Sequence, residues 1–370
     1  MSDVTIAKPG RSLWVDAWAR LKANRAAVAS SIFLAFMGLV CVIGPWMTGH
    51  AFTTIYPDYV RTPPSLDPYP KQESIEVAIT EVAKRGRMEI KQWKLEGNRV
   101  VMTVTSGKPI DERNIRYLDR SDTFEDAKIE NRAIDGLEMT MSARIEQKHF
   151  YFGTDNNGRD LLTRTLIAGR VSLAIGLLAG LVAVVIGVLY GAASGFIGGK
   201  TDEVMMRIVD VLYSLPFIFF VIMLVVFFGR NFILMFIAVG AVLWLDMARI
   251  VRGQALSIRR QEYVQAAEAL GVGKWGMLVR HVIPNLLGPV VIYMTLLVPQ
   301  VILLESFLSF LGLGVQEPMA SWGVLISAGA KNIDTAAWLL IFPSIFLTST
   351  LFALNFIGDG LRDALDPKDR

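Results

Sequence analysis

The chain of 370 residues has a single cysteine, Cys41, standing inside an apolar run, so no disulfide framework holds this fold. Histidine is nearly as scarce. His50, His149 and His281 lie far apart, and neither a His-x-x-x-His nor a Cys-x-x-Cys spacing occurs, which leaves no sequence signal for a metal. Charge is short as well: 19% of residues are Asp, Glu, Lys or Arg, against about 25% in soluble chains. The shortage is uneven. Residues 51–150 carry 33 of the 71 charged side chains, 16 basic and 17 acidic, leaving 38 for the other 270 positions. The net charge of +3 is not gathered on a soluble domain, which argues against nucleic-acid binding. A hydrophobic share of 53% excludes a disordered tail and a collagen-like fibre.

The abundant feature is apolar length. A bilayer core of roughly 30 Å takes about 20 apolar residues in a helix. Residues 26–57 (apolar to 47), 171–199, 211–229, 282–304 and 335–358 contain no Lys, Arg, Asp or Glu. Residues 231–245 reach spanning length if Asp246 and Arg249 lie at the membrane surface. Six spans are expected. Lys and Arg in short flanking segments set their orientation. Lys8, Arg11, Arg20, Lys22 and Arg25 precede the first run, Lys200 and Arg207 follow the second, and Arg249, Arg252, Arg259, Arg260, Lys274 and Arg280 follow the fourth; Arg362, Lys368 and Arg370 end the chain. The opposite short segments hold only Arg230 and Lys331. Both termini are therefore expected in the cytoplasm, with residues 51–150 outside. The first run is too long for a signal peptide and lacks a small-residue cleavage site, so it reads as a retained anchor. Ahead of it, Leu13, Trp14, Ala17, Trp18 and Leu21 share one face of a helix that Ser12 is placed to cap, the pattern of a helix lying on a membrane surface.

Within the charged block, Ile75, Ala78, Ile79 and Val82 recur at helical spacing over 73–85, with Gly86 as a stop. Runs 88–95 and 100–105 read as strands joined at Glu96-Gly97-Asn98, and Leu137, Met139, Met141, Ala143 and Ile145 alternate as in a half-buried strand. The block reads as a small α+β domain on a Pro-rich tether, 62–70. Mixed charge there fits a solvated cap as well as a docking surface.

Catalytic patterns are missing. Residues 194–201 nearly spell a phosphate-binding loop, but Ser194 stands where the first glycine is required and a membrane helix precedes it. No serine stands in Gly-x-Ser-x-Gly. Asp210, Asp246 and Glu305 sit near expected membrane edges, and local pairing of Asp210 with Arg207 and of Asp246 with Arg249 suits them better than proton transport. A membrane-embedded enzyme and a secondary carrier are both disfavoured on these grounds.

The informative stretch is EYVQAAEALGVGKWGMLVRHVIP, 262–284. Tyr263, Ala266, Ala267 and Leu270 are expected on one small and apolar helix face, and Gly271-Val272-Gly273 reverses the chain before a second helix that ends at Pro284. This stretch resembles the EAA loop of permease subunits in bacterial ATP-binding-cassette importers. Gln265 replaces the glutamate of that pattern, while Ala266, Ala267, Gly271 and Pro284 match it, and Arg280-His281-Val282-Ile283-Pro284-Asn285 fits the form of the oligopeptide and dipeptide branch. Three further segments are similar to C-type peptide permeases: FGTDNNGRD at 152–160, Gly198-Gly199 with Asp202, Met206-Arg207, Asp210 and Pro216, and ESFLSFLGLG at 305–314 with Ser321-Trp322-Gly323.

The resemblance implies an all-α membrane protein of six transmembrane helices, both termini inside, with a small inserted extracytoplasmic α+β domain. The domain reading is a cytoplasmic amphipathic helix at 1–25, an anchor at 26–47, the insertion at 48–150, a permease core at 151–360 with a coupling loop at 253–284, and a tail at 361–370. It implies half of a pore in the bacterial inner membrane, completed by a homologous second permease subunit. Two cytoplasmic ATP-binding subunits would carry ATP and Mg, this chain binding no cofactor, and an extracytoplasmic binding protein would deliver peptide, with nickel or another small solute as the alternative cargo. ATPase coupling falls to Glu262, Tyr263, Gln265, Ala266, Ala267, Gly271 and Pro284. Glu305, Ser306, Gly312, Gly314 and Trp322 are candidates for an outer gate or binding-protein dock.

Overall fold

The structure is a computed structural model that describes residues 13–229 and 232–365. Ser12 and the charges of Lys8, Arg11, Arg230, Lys368 and Arg370 lie outside the described residues, as do the side chains of Leu13 and Trp14. In chain order the elements are α1 (Leu13–Ala23), α2 (Arg25–Met47), α3 (Gln72–Arg85), β1 (Glu89–Glu96), β2 (Arg99–Thr105), α4 (Arg116–Asp119), β3 (Phe124–Arg132) and β4 (Glu138–Ile145). There follow α5 (Leu161–Ile197), α6 (Gly199–Ser214), α7 (Phe217–Phe228), α8 (Phe232–Arg259), α9 (Glu262–Ala269), α10 (Lys274–Met277), a π turn (Leu278–Val282), α11 (Ile283–Phe310), α12 (Trp322–Ala330) and α13 (Trp338–Leu365).

Among the described residues, four helices are long and apolar enough to cross a membrane: Arg25–Met47, Leu161–Ile197, Lys274–Phe310 and Trp338–Leu365. A fifth span arises if Gly199–Ser214 and Ile218–Phe228, bent by 78°, count as one. The run expected to span at 211–229 is thus broken where Pro216, which has no N–H, cannot continue α6. The chain divides into two compact units: Met1–Gly44, Thr165–Lys331 and Pro343–Arg370 form one, and Pro45–Arg164 with Asn332–Phe342 the other.

In the first unit α5, α8 and α11 share a core that includes Ile175, Ala179, Ala183, Met247, Val251, Leu286 and Val301. Gly187, Gly191 and Gly195 recur every fourth residue along α5 and let α8 come close; a Cβ at Gly191 would lie 2.3 Å from the Ala248 carbonyl oxygen. Small residues at this spacing are how membrane helices maximise contact where no water is available to drive them together. At the chain's start, the Asn24 side chain caps α2 by accepting from the N–H groups of Ala26 and Ala27, both at 3.1 Å. Trp18 on α1 is exposed, with Lys22 over its ring.

The second unit contains an antiparallel sheet in the order β1-β2-β4-β3. One face of β2 and β4 (Val100, Met102, Val104; Met139, Met141, Ala143) packs on Ile75, Ile79 and Val82 of α3 and on Leu118 of α4. Each such large side chain contributes about 1.5–3 kcal/mol by leaving water. Pairing of Glu96 with Arg99 narrows the expected turn to Gly97-Asn98, with Gly97 at φ +63°. β3 has no counterpart in the sequence reading: it is an edge strand, mostly exposed and charged, with register breaks at 125–128 and 129–131. Leu137 falls outside β4 and is exposed. The stem closes where Tyr69 and Lys148 exchange two backbone hydrogen bonds of 2.8 Å.

The FGTDNNGRD segment is a local knot in this unit. Asp155 accepts from the N–H groups of Asn157 and Arg159 and pairs with the Arg159 guanidinium at 2.8 Å. Asp160 precedes α5 and accepts from Thr163 N–H at 2.7 Å and its hydroxyl at 2.6 Å, an N-cap. Burial raises the Asp160 carboxyl above the usual carboxylate range in spite of these bonds.

Candidate functional site

The segment 262–284 folds as two short helices docked on the core of the first unit. Val264 of α9, Met277 of α10 and Leu278 and Val282 of the π turn are buried in that core, and Ala267 and Val272 pack against it. α9 ends in a Schellman cap: Val272 N–H bonds to Ala267 C=O at 3.1 Å and Gly271 N–H to Glu268 C=O at 3.0 Å, with Gly271 at φ +83°. The expected single face is split. Ala267 turns inward beside Val264, whereas Tyr263, Ala266 and Leu270 face outward. Leu270 is 85% exposed and Trp275 73%. Glu262 and Gln265 are exposed too, Gln265 donating to the Arg260 carbonyl at 3.3 Å. The result is an anchored element with an uncovered apolar outer surface.

Pro284 does not end a helix as expected. Lys274–Phe310 runs as one helix of 37 residues, and the wider π turn just before Pro284 accommodates its ring and missing N–H.

The helices leading into this element are tied by charge. Arg252 of α8 grips Asp202 of α6 with two bonds of 2.6 Å, and Ser194 of α5 donates to the same carboxylate. Arg249 reaches Asp210 of α6 at 2.8 Å and lies over the Tyr213 ring. The expected partner of Asp210, Arg207, gives way to Arg249, 39 positions away, because α6 folds back along α8. Arg249 also acts on Asp246, as its i to i+3 spacing leads one to expect. Arg259 donates to the carbonyl of Ile197 at 3.2 Å. α5, α6 and α8 are fastened at the end from which α9 departs, and no sequence spacing signalled the Asp202–Arg252 pair.

The second candidate set, at the other end of α11, is largely interior. Glu305 and Trp322 are wholly buried, Gly314 is buried, Ser306 is half-buried, and Gly312 is exposed at φ +77°. Oε1 of Glu305 accepts from the hydroxyls of Ser309 and Ser321, both at 2.6 Å, and Ser172 Oγ lies 3.4 Å from Oε2. The Trp322 indole donates to the Thr165 carbonyl at 3.0 Å. Glu305 is thus held by hydroxyls from α5, α11 and the cap of α12. Glu305 and Trp322 are buried and present no exposed surface, unlike Gly312. Beyond Gly312 and Gly314 the chain runs to Ser321, the N-cap of α12.

An apolar helical bundle with four or five candidate spans among the described residues, and a docked, partly uncovered loop helix, is the architecture of a helical membrane protein. The family described as binding-protein-dependent transport system inner membrane component matches residues 170–370, and the chain belongs to it. A second family, the N-terminal TM domain of oligopeptide transport permease C, matches residues 12–64. The oligopeptide transport system permease protein OppC of Escherichia coli (strain K12) is 59% identical over 232 residues, 63% of this chain and 76% of the relative. OppC of Haemophilus influenzae is 44% identical over 361 residues, 98% of this chain and 90% of the relative. The dipeptide transport system permease protein DppC of Bacillus subtilis is 34% identical over 367 residues, 99% and 89% respectively. The chain is therefore a multi-pass inner-membrane permease subunit rather than an enzyme.

Proposed function

We propose that this chain imports peptides as one half of a two-permease pore, driven through α9 and α10 by cytoplasmic ATP-binding subunits. The observation that carries the coupling is the anchored element with Tyr263, Leu270 and Trp275 left uncovered. A helix fixed to a membrane helix on one side and apolar on the other transmits a push instead of absorbing it. Peptide is favoured over nickel or another solute by the names of the relatives, which specify oligopeptides or dipeptides.

In this reading the spans are six: α2, α5, the bent α6–α7 pair, α8, α11 and α13. Both termini and 253–284 lie in the cytoplasm, and the insertion at 48–150 lies outside. A homologous permease completes the pore, two ATP-binding subunits carry ATP and Mg, and a binding protein delivers the cargo to the surface around exposed Gly312. ATP-driven closure of the two subunits pushes α9 against the core, and the 37-residue helix Lys274–Phe310 carries the displacement across the membrane. Contact with the ATP-binding subunits is checked on inside-out vesicles containing the two permeases. The purified ATP-binding subunits are expected to bind them, and Leu270→Glu with Trp275→Glu is expected to weaken binding by about 10- to 100-fold, since two buried apolar anchors are lost. Unchanged binding by the double variant would show that the subunits dock elsewhere.

A further inference from the structure

The Glu305 carboxylate is completely buried, and among the described residues no Lys, Arg or His pairs with it. A buried carboxylate needs compensation from somewhere. Here that comes from the first turn of α12. Ser321, the N-cap of α12, accepts from the Val324 N–H at 3.2 Å and donates to Oε1 of Glu305 at 2.6 Å. Ser172 of α5 accepts from the Trp322 N–H at 3.1 Å and lies 3.4 Å from Oε2. Each hydroxyl receives an otherwise unpaired helix N–H and turns its own proton toward the carboxylate. The N–H groups of a first helical turn are the positive end of the helix dipole, so Glu305 meets the end of a nine-residue helix through two serine relays. Ser309, one turn along α11, adds a third hydroxyl at 2.6 Å. The knot is tightly packed: a Cβ on Gly314 would fall 2.0 Å from Ser309 Oγ, and one on Gly323 would fall 2.4 Å from Ser306 Cα.

We propose that Glu305 is the electrostatic latch of the outer gate. Its carboxylate, acting through Ser172 and Ser321 on the N-terminus of α12, holds α11 and α12 shut against α5, and the gate opens by drawing that helix end away. The proposal rests on the permease reading above. A helix end carries only a partial charge, so this latch is released more readily than a buried pair with an arginine. It stands at the opposite end of the helix Lys274–Phe310 from the coupling element, where a push on α9 would be felt.

The test uses the full complex in lipid nanodiscs, with its binding protein saturated with trialanine. Glu305→Gln keeps an oxygen for Ser309 and Ser321, removes the charge and turns the acceptor facing Ser172 into an amide donor, so it weakens both the charge and one relay. The closed-to-open ratio is expected to fall by about 2- to 30-fold, the range for a charge at a helix N-terminus. Basal ATP hydrolysis then rises, and its stimulation by the loaded binding protein falls, while the amount of assembled complex stays the same. Ser321→Ala, which leaves the charge and removes the relay, is expected to move both readouts in the same direction and carries the test if Glu305→Gln does not assemble. Wild-type basal rate and stimulation in the assembled variants would overturn the latch. A wild-type complex that the loaded binding protein does not stimulate would instead refute the peptide-permease reading.

Discussion

Gly271 reverses the chain between α9 and α10 at φ +83°, and open space surrounds the position where a Cβ would stand. Its requirement is conformational and not steric. A β-branched residue in the left-handed region costs roughly 1–2 kcal/mol, while asparagine tolerates that region. Gly271→Val is therefore expected to depopulate the native turn by about 5- to 30-fold and to lower ATP-driven uptake, with Gly271→Asn remaining close to wild type; uptake in proteoliposomes at equal assembly checks the order. Gly271 and its reversal were legible in the sequence because a cap is a local event. The partners of Glu305 were not, since Ser172 stands 133 positions away and only folding brings it near. The partner of Asp210 was misread for the same reason, since Arg249 stands 39 positions away.

At the scale of elements, legibility followed periodicity. α3, β2 and β4 each bury one face and β1 half-buries Ile90, Trp93 and Leu95, and a covered face leaves apolar residues at the spacing of the element. β3 buries almost nothing beyond Phe124, so FEDAKIENR carries no alternation to detect. The transmembrane runs were visible as composition, but the start of α5 was not. It begins at Leu161, ten residues before the charge-free run, and carries Arg164 and Arg170 inside the helix. Arg170 donates to the backbone carbonyls of Cys41 and Val42 on α2. The contact of α5 with α8 is set by the glycine row. Gly191→Ala is expected to cost about 1–3 kcal/mol, because backbone must move to admit the methyl. Gly253→Ala on α8, with nothing near its Cβ position, is expected to be neutral or stabilising by up to about 1 kcal/mol. Thermal unfolding of the purified complex separates the two, and equal losses would contradict the close-packing account.

For the whole molecule, the compositional boundary at 51–150 and the structural boundary differ. The second unit extends to Arg164 and includes Asn332–Phe342. Phe152 stacks on Phe342 at 4.0 Å, and Leu161, Ala336 and Leu339 form a small core of their own. Charge density marks what meets water, whereas a unit is defined by what packs together. The permease signatures likewise proved to be structural joints: a cap before α5, a clamp between α6 and α8, a cap after α9 and a buried carboxylate beneath α12. Under the proposed function, the work that moves cargo comes from the ATP-binding subunits through α9 and α10. The most direct measurement is uptake of a labelled oligopeptide into proteoliposomes containing both permeases, the two ATP-binding subunits and the loaded binding protein. The account predicts accumulation that requires ATP with Mg and is lost in the Leu270→Glu, Trp275→Glu variant. Accumulation without ATP, or at the wild-type rate in that variant, would contradict it.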